Sequence, residues 1–462
     1  MRVIIENKLK IEDCPDNVKK KLNRMLSFDN PEYQSRQRMG LWCGNIPRKL
    51  SLMEKRGKDI FVPHGILKEL QDMSEFENAF FQETKNKVYL PHFDYKSHFK
   101  PLGYQEKAIH AALDAGSGVI VAPCGSGKTN MGLEICARLG YRALWLTHTG
   151  DLLQQSINRA KSLFDMSEEL YGTITEGKVD VGEVMTFATV QTMSKIDLSE
   201  LKDYFDIIVV DECHRVAGTP TKISMFYKVI SALNAPYKYG LTATPYRTDG
   251  LIGCMFALLG TVCHTIPLSE TACITCPTYY RAVYLPFNVD IDDITQTDGT
   301  LSWSKLLNTL CADFDRTEQI VRDVKSCIEQ GNTCLVLTDR VAHAKQIAEM
   351  LGKDAVPLVG SVSKTKRANT VKNLNEGKIK CVCATYQLVK EGLDVPTLRY
   401  VFFATPQKNK VTVEQSAGRV KRAADGKLYG CIVDYVDSFG MLMGWFKQRK
   451  AVYKKIGVKE YG

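Results

Sequence analysis

The residues from Val119 to Thr129 read VIVAPCGSGKT, and their types and spacing suit them to grip a phosphate. An apolar β-type run feeds a turn with two glycines, after which a Lys-Thr pair opens an expected helix, Asn130–Leu139. That is the strand–loop–helix setting of a phosphate-binding loop. Gly125 and Gly127 let the backbone curl so that successive N–H groups face one anion. The candidate contacts are Pro123, Cys124, Gly125, Ser126, Gly127, Lys128 and Thr129, with Ala122 where the generic pattern has its first glycine. Lys128 would reach the outer phosphates of a nucleotide, and the Thr129 hydroxyl would hold Mg2+. A second constellation, Asp211-Glu212-Cys213-His214, follows the apolar run Ile207–Val210. There Asp211 would hold Mg2+, directly or through water, while Glu212 would orient and deprotonate an attacking water. Taken alone, such an acidic pair also fits a solvated turn.

The elements that must position these groups alternate in type. From about residue 96 to 282, strand-like runs (Val119–Ala122, Ala143–Thr147, Val184–Ala188, Ile207–Val210, Tyr239–Thr242) interleave with helical patterns, which predicts a parallel sheet wrapped by helices. Residues 283–310 read as a connector. A second alternation follows, with strands at Cys334–Thr338, Cys381–Ala384, Tyr400–Ala404 and Gly430–Val436 and a helix at Ala342–Leu351. The expected architecture is two tandem α/β domains, 96–282 and 283–462, behind a small α+β module at 1–95.

Composition narrows the class. The hydrophobic share is 44% and the charged share 24%, as in soluble globular proteins. A net charge of +9 makes an anionic polymer a reasonable partner. The 15 cysteines are scattered and often sit in apolar runs. With no secretory signal ahead of them, a reduced, cytoplasmic setting is expected, in a host cell if the protein is viral. The longest uncharged stretch, Leu251–Leu268, is broken by Gly, Cys and His, so no membrane span is expected.

In order and content, the motifs resemble those of superfamily 2 helicases. Gln105 in GYQEKAI matches the glutamine that reads adenine, and APCGSGKT matches motif I. LTHTGDLLQQ (Leu146–Gln155) is similar to motif Ia, FATVQT (Phe187–Thr192) to motif Ib, and DECH to a motif II of the DEAH type. LTATPYRTDG (Leu241–Gly250) is similar to motif III, with the trailing Arg/Asp of the XPB-like and restriction-enzyme branches. LTDR (Leu337–Arg340), ATYQLVKEGLDVP (Ala384–Pro396) and QSAGRVKR (Gln415–Arg422) stand for motifs IV, V and VI. The likeness spans about residues 100 to 440.

It implies two RecA-like domains that bind ATP and Mg2+ in the cleft between them. Arg419 and Arg422, three apart and so on one face of a helix, would act as arginine fingers. The resemblance also places Gly392, Asp394 and Gln415 at the nucleotide, makes His214, Thr242 and Thr244 a coupling relay, and puts His148, Thr149, Gln191, Thr338, Arg340, Thr385 and Gln387 along a nucleic-acid track. Their hydroxyls and amides suit contacts to a phosphate backbone.

Outside this core, Arg36–Lys58 holds seven Lys/Arg and one acid, with Tyr33 and Trp42 nearby. Basic residues interleaved with aromatics suit backbone binding and base stacking, and Arg36, Arg38, Arg48 and Lys49 are the candidates. A small N-terminal module before an XPB-like core resembles phage helicases of the UvsW kind, which remodel branched DNA. The basic run Lys447–Lys459 is either a solvated helix face or a further contact. Cys273 and Cys276 lack the second close-spaced pair of a zinc ribbon. The leading expectation is a monomeric, ATP-dependent helicase on forked, branched or single-stranded DNA. An RNA helicase and the motor subunit of a restriction or defence complex are the alternatives.

Overall fold

The computed structural model describes residues 1–85, 90–247, 249–297, 299–360, 362–390 and 395–461, with the backbone alone at 272–274, 364, 389 and 390. Its contacts divide the chain into two compact units. One comprises Met1–Pro123 and Gly127–Pro267, the other Cys124–Ser126 and Leu268–Gly462.

The first unit is built on an eight-stranded sheet. From edge to edge its strands are Lys178–Asp180, Tyr171–Thr175, Met185–Thr189, Ala143–Thr147, Ile207–Asp211, Tyr237–Thr242, Ser117–Val121 and Val262–Thr265. All its pairings are parallel except that of Lys178–Asp180, which forms a hairpin with its neighbour. The central strands are buried on both faces and accordingly read as continuous apolar runs. Each expected strand is present to within a residue or two, and the helix after the Gly-rich loop starts at Lys128.

The N-terminal residues fold as a five-stranded sheet, Glu54–Arg56, Asp59–Pro63, Lys8–Glu12, Arg2–Ile5 and Phe80–Glu83, with helices at Asp16–Met25 and Pro31–Arg38. They are not a separate body. Val3, Leu22 and Phe76 share one hydrophobic cluster with Val119, Leu144 and Ile208 of the large sheet. At Gly65 the two layers meet backbone to backbone, since a Cβ there would lie 2.5 Å from the Gly260 nitrogen.

The second unit has a seven-stranded sheet joined by parallel pairing throughout. Its order is Ala355–Leu358, Cys381–Thr385, Cys334–Thr338, Tyr400–Phe403, Gly430–Asp437, Thr278–Leu285 and Lys459–Glu460. The division at Pro267/Leu268 differs from the expected 282/283, and Thr278–Leu285, which that boundary would cut, lies wholly in this sheet. The expected connector is likewise partly ordered, with helices at Ile291–Ile294 and Trp303–Ala312. The second unit's core includes two buried ion pairs. Arg316 binds Asp437 (Nε–Oδ1 2.6 Å), and Arg449 binds Asp434 through two 2.8 Å bonds.

Candidate functional site

Five adjacent strands of the first unit end at the same edge, and each delivers a motif there. Ser117–Val121 leads into the Gly-rich loop, Tyr237–Thr242 ends at Thr242, Ile207–Asp211 ends at Asp211, Ala143–Thr147 precedes His148, and Met185–Thr189 precedes Gln191. The carboxyl edge of a parallel sheet is where α/β folds bind ligands.

The loop itself depends on glycine. Gly125 and Gly127 have φ of +85° and +81°, in the left-handed region. A Cβ on Gly127 would lie 2.6 Å from Gln105 Nε2. Gln105 is buried at the start of the helix Gly103–Ala115, where its Oε1 accepts the Leu102 N–H at 2.8 Å. That helix is tied to Lys128–Leu139 by Arg138, which binds Glu106 through two 2.7 Å bonds and Glu134 at 2.9 Å. This clamp carries no sequence motif. Lys128 curls over the loop, its Nζ donating to the carbonyls of Ala122 (3.3 Å) and Pro123 (3.5 Å). Thr129, one residue on, is half-buried.

Asp211 and Glu212 stand opposite. The Glu212 N–H donates to Asp211 Oδ1 at 3.0 Å, and Glu212 is held at φ +50°, a left-handed conformation that costs a non-glycine residue about 1 kcal/mol or more. Burial and the adjacent Glu212 carboxylate push Asp211 up to about 7. Burial would raise Glu212 too, but the His214 hydrogen bond and the Lys128 charge hold it down at about 2. Two buried carboxylates this close resist double ionisation, a conflict that a divalent cation relieves. The glycine cradle, the lysine and this acid pair therefore fit a nucleotide triphosphate with Mg2+, held by Lys128, Thr129 and Asp211.

His214 links the acid pair to the next strand. Its Nδ1 lies 3.2 Å from Glu212 Oε2 and 3.1 Å from Thr242 Oγ1. Thr242 Oγ1 accepts the Thr244 N–H at 3.1 Å and donates to the Thr244 carbonyl at 3.2 Å. The three expected coupling residues thus form one bonded cluster. Arg247 extends it, donating to the His214 carbonyl at 2.7 Å while binding Asp249 at 3.0 and 2.6 Å. The Arg/Asp that trails motif III in the sequence was the signal for this link.

The expected nucleic-acid track is mixed. Gln191 Nε2 donates to the His148 carbonyl, so these two candidates brace each other, and burial followed by the Arg215 charge lowers His148 below its usual range. Thr149 caps the helix Gly150–Leu163 by accepting the Leu152 N–H at 3.4 Å. In the second unit Thr338 is fully buried and its hydroxyl lies 3.1 Å from His343 Nδ1, which corrects its assignment as a phosphate contact. Arg340 is engaged with Asn308 Oδ1 (2.8 Å) and Ser304. Thr385 ends its strand half-buried, and Gln387 is exposed.

Gln415 and Arg419 lie on the helix Lys410–Val420, but Arg422 does not. Arg422 pairs in a bridge with Thr275, and the Val420 and Lys421 carbonyls are taken by the Cys276 thiol and N–H, which ends the helix before it. The shared helix face expected for the two arginines is therefore corrected. Gly392 and Asp394 lie outside the described residues. In the C-terminal basic run, Arg449 turns inward to Asp434, so that run is not a uniform solvated face.

At the N-terminal end, Arg36, Arg38, Arg48 and Lys49 are all exposed, and Tyr33 is half-buried. No helix among the described residues is long and apolar enough to cross a membrane.

Comparison with known proteins follows this division. The family model "Type III restriction enzyme, res subunit" matches residues 98–247, and "Helicase conserved C-terminal domain" matches residues 315–424. A protein of Acanthamoeba polyphaga mimivirus, named as an ATP-dependent RNA helicase, is 25% identical over 335 residues, covering 72% of this chain and 62% of its own length. The DNA 3'-5' translocase XPB2 of Sulfurisphaera tokodaii is 30% identical over 170 residues, covering 37% of this chain and 36% of the relative. Among solved structures, a fragment of an HsdR subunit of a type I restriction enzyme from Vibrio vulnificus YJ016 superposes with a TM-score of 0.57 at 18% identity. That match covers 98% of this chain and 83% of the other, and it bears on the fold alone.

Proposed function

The chain belongs to the superfamily 2 helicases, and from that premise we propose that it is an ATP-driven DNA helicase or translocase of the DEAH type that remodels branched or forked DNA. The observation that carries the motor reading is the glycine cradle of Gly125 and Gly127 beside Lys128 and the buried Asp211–Glu212 pair. Bound ATP with Mg2+ would supply the reactive γ-phosphoryl group and the free energy of its transfer to water. Lys128 neutralises phosphate charge, and Thr129 with Asp211 holds the cation. Glu212, kept ionised by His214 and Lys128, orients a water and takes its proton. Arg419 and Arg422 are the proposed arginine fingers, and Gln415 is a further candidate for the nucleotide. The His214–Thr242–Thr244 cluster passes the state of the acid pair to the strand ends that carry His148, Thr149 and Gln191.

DNA is favoured over RNA because motif II reads DECH rather than DEAD and motif III reads TAT rather than SAT. The sequence relation to a DNA translocase supports the same choice. Branched DNA is favoured by the exposed Arg36, Arg38, Arg48 and Lys49, a second basic surface far in sequence from the motor motifs. RNA is the second reading, since one relative is named as an RNA helicase. The test is ATP hydrolysis in the presence of single-stranded, duplex and forked DNA and of RNA. Stimulation by forks above single strands, lost on charge reversal of Arg38, Arg48 and Lys49, is the expected result. Stimulation by RNA alone would overturn the DNA assignment, and no response to any nucleic acid would overturn the motor.

A further inference from the structure

Trp42 is 85% exposed, although an indole is among the side chains with most to gain from burial. Met39 and Leu41 beside it are exposed as well. Single apolar side chains on a surface are ordinary, but three within four residues form a patch.

This patch sits on a turn that is pinned at its base and braced at its tip. At the base, buried Asn30 donates its Nδ2–H to the Pro47 carbonyl (2.9 Å) and its backbone N–H to the Arg48 carbonyl (3.0 Å), while its Oδ1 caps the helix Pro31–Arg38 through Glu32 N–H (3.1 Å). At the tip, Arg36 Nη1 donates to the Trp42 carbonyl at 3.2 Å, and the Leu41 N–H returns to the Arg36 carbonyl at 2.9 Å. The indole lies over Gly44, where a Cβ would come within 3.0 Å of its ring and where φ is +51°. Glycine there lets the ring rest on backbone with the rest of its surface in water. The backbone that carries the indole is therefore held in place before binding.

The surroundings select an anionic partner. Arg38, Arg48 and Lys49 are exposed on the segments that flank the turn, and one exposed acid, Asp29, stands across the strand pair from Lys49. The one acid on the adjoining helix, Glu32, is bound to Lys222 at 2.9 Å, which offsets its charge. An exposed aromatic on a braced turn, with several basic side chains on the flanking segments, is the chemistry of base stacking on a phosphate-anchored strand. Within a duplex each base face is covered by its neighbours, so a protruding indole can stack only where a base has lost one. The geometry points to Trp42 as a stacking platform for a single unpaired base at a strand branch. This rests on the reading of the protein as a DNA motor and names the feature of the DNA that the N-terminal surface recognises.

The test uses the full chain without ATP. It measures equilibrium binding to a fork that carries 2-aminopurine at the unpaired position next to the duplex, and to a covalently closed circular duplex, which exposes no base face. Trp42→Ala should weaken fork binding about 5- to 150-fold, the range of one base–aromatic stack. It should leave duplex binding within about twofold and abolish the quenching of 2-aminopurine, since only the stack is removed. Trp42→Phe should restore most of both signals. Fork affinity unchanged in Trp42→Ala, or an equal loss on fork and duplex, would overturn the platform and leave the patch to an apolar segment of a partner protein. A wild-type chain whose ATP hydrolysis answers DNA while Trp42→Ala binds forks normally loses only this inference. A wild-type chain that answers no nucleic acid loses the motor reading as well.

Discussion

Replacing Lys238 with methionine should stabilise the protein, and more so at neutral than at alkaline pH. Lys238 lies near the start of the central strand Tyr237–Thr242 and is 1% exposed. It shares a face of that strand with Gly240, where a Cβ would meet Cys213 Sγ at 2.7 Å and Leu259 at 3.0 Å, so its stem enters an apolar layer. Burial alone lowers the ammonium from its ordinary 10.5 to about 7, a difference worth about 5 kcal/mol. Below about pH 7 both states hold the proton and the penalty is complete. Between there and about 10.5 the unfolded chain holds a proton that the folded chain has lost, so stability rises with pH until the penalty is gone. Lys238→Met should therefore gain about 3–5 kcal/mol at pH 7 and only about 1 kcal/mol at pH 9.5. Urea unfolding of both proteins at the two pH values, compared as a difference so that other titrating groups cancel, measures this. A variant no more stable than the wild type would show that the ammonium reaches water or a counter-charge. An equal gain at both pH values would assign the effect to packing.

The remaining expectations concern the site. Lys128→Ala should fold normally and lose ATP hydrolysis, whereas Glu212→Gln should still bind ATP with near-normal affinity and fail to turn it over; nucleotide-binding titrations beside turnover assays separate the two. Arg419→Ala and Arg422→Ala should each slow DNA-stimulated hydrolysis by about 10³–10⁵-fold, the range for arginine fingers, with DNA affinity retained. Near-normal turnover in either would place that guanidinium outside the reaction. Arg247→Ala frees the His214 carbonyl and Asp249, so stability should fall by about 1–2 kcal/mol for this partly exposed pair. The turnover number should drop about 10-fold with little change in the KM for ATP, because a misplaced group loses rate rather than binding.

What could be read from the sequence was what is encoded locally. The Gly-rich loop, the acid pair and the strands that carry them depend on residues a few positions apart, and each expected strand is present to within a residue or two, whereas outer strands such as Tyr171–Thr175 and Ala355–Leu358 are not legible in the sequence. Groups set by long-range packing were hidden. Thr338 is a candidate phosphate ligand through the resemblance of its motif and its hydroxyl, yet the fold turns that hydroxyl onto His343. Arg422 is three residues from Arg419, but contacts with Cys276 and Thr275, nearly 150 positions earlier in the chain, stop the helix between them. Lys238 is hidden because the apolar pattern starts at Tyr239, and nothing in YKYG shows that a lysine is enclosed there.

The N-terminal residues show the same limit on a larger scale, and it alters how they can be tested. A run of short strands with turn signals and a basic stretch reads as a separable module. Whether such a run owns its core is decided by what it packs against. Here Val3, Leu22 and Phe76 belong to the same cluster as the sheet that carries the phosphate loop. Phe28 packs against the helix Ile252–Leu259 at Gly253, and that helix begins where Asp249 Oδ1 accepts the Leu251 N–H at 3.0 Å. Asp249 is held by Arg247, and Arg247 by the His214 carbonyl next to the acid pair. Deleting residues 1–95 would strip apolar cover from the motor's own core, each large side chain uncovered costing about 1.5–3 kcal/mol, so a lost activity would say nothing about DNA. Substitutions confined to exposed side chains such as Trp42, Arg38, Arg48 and Lys49 leave that core intact. They are the changes that can separate a surface that reads DNA from one that only completes the fold.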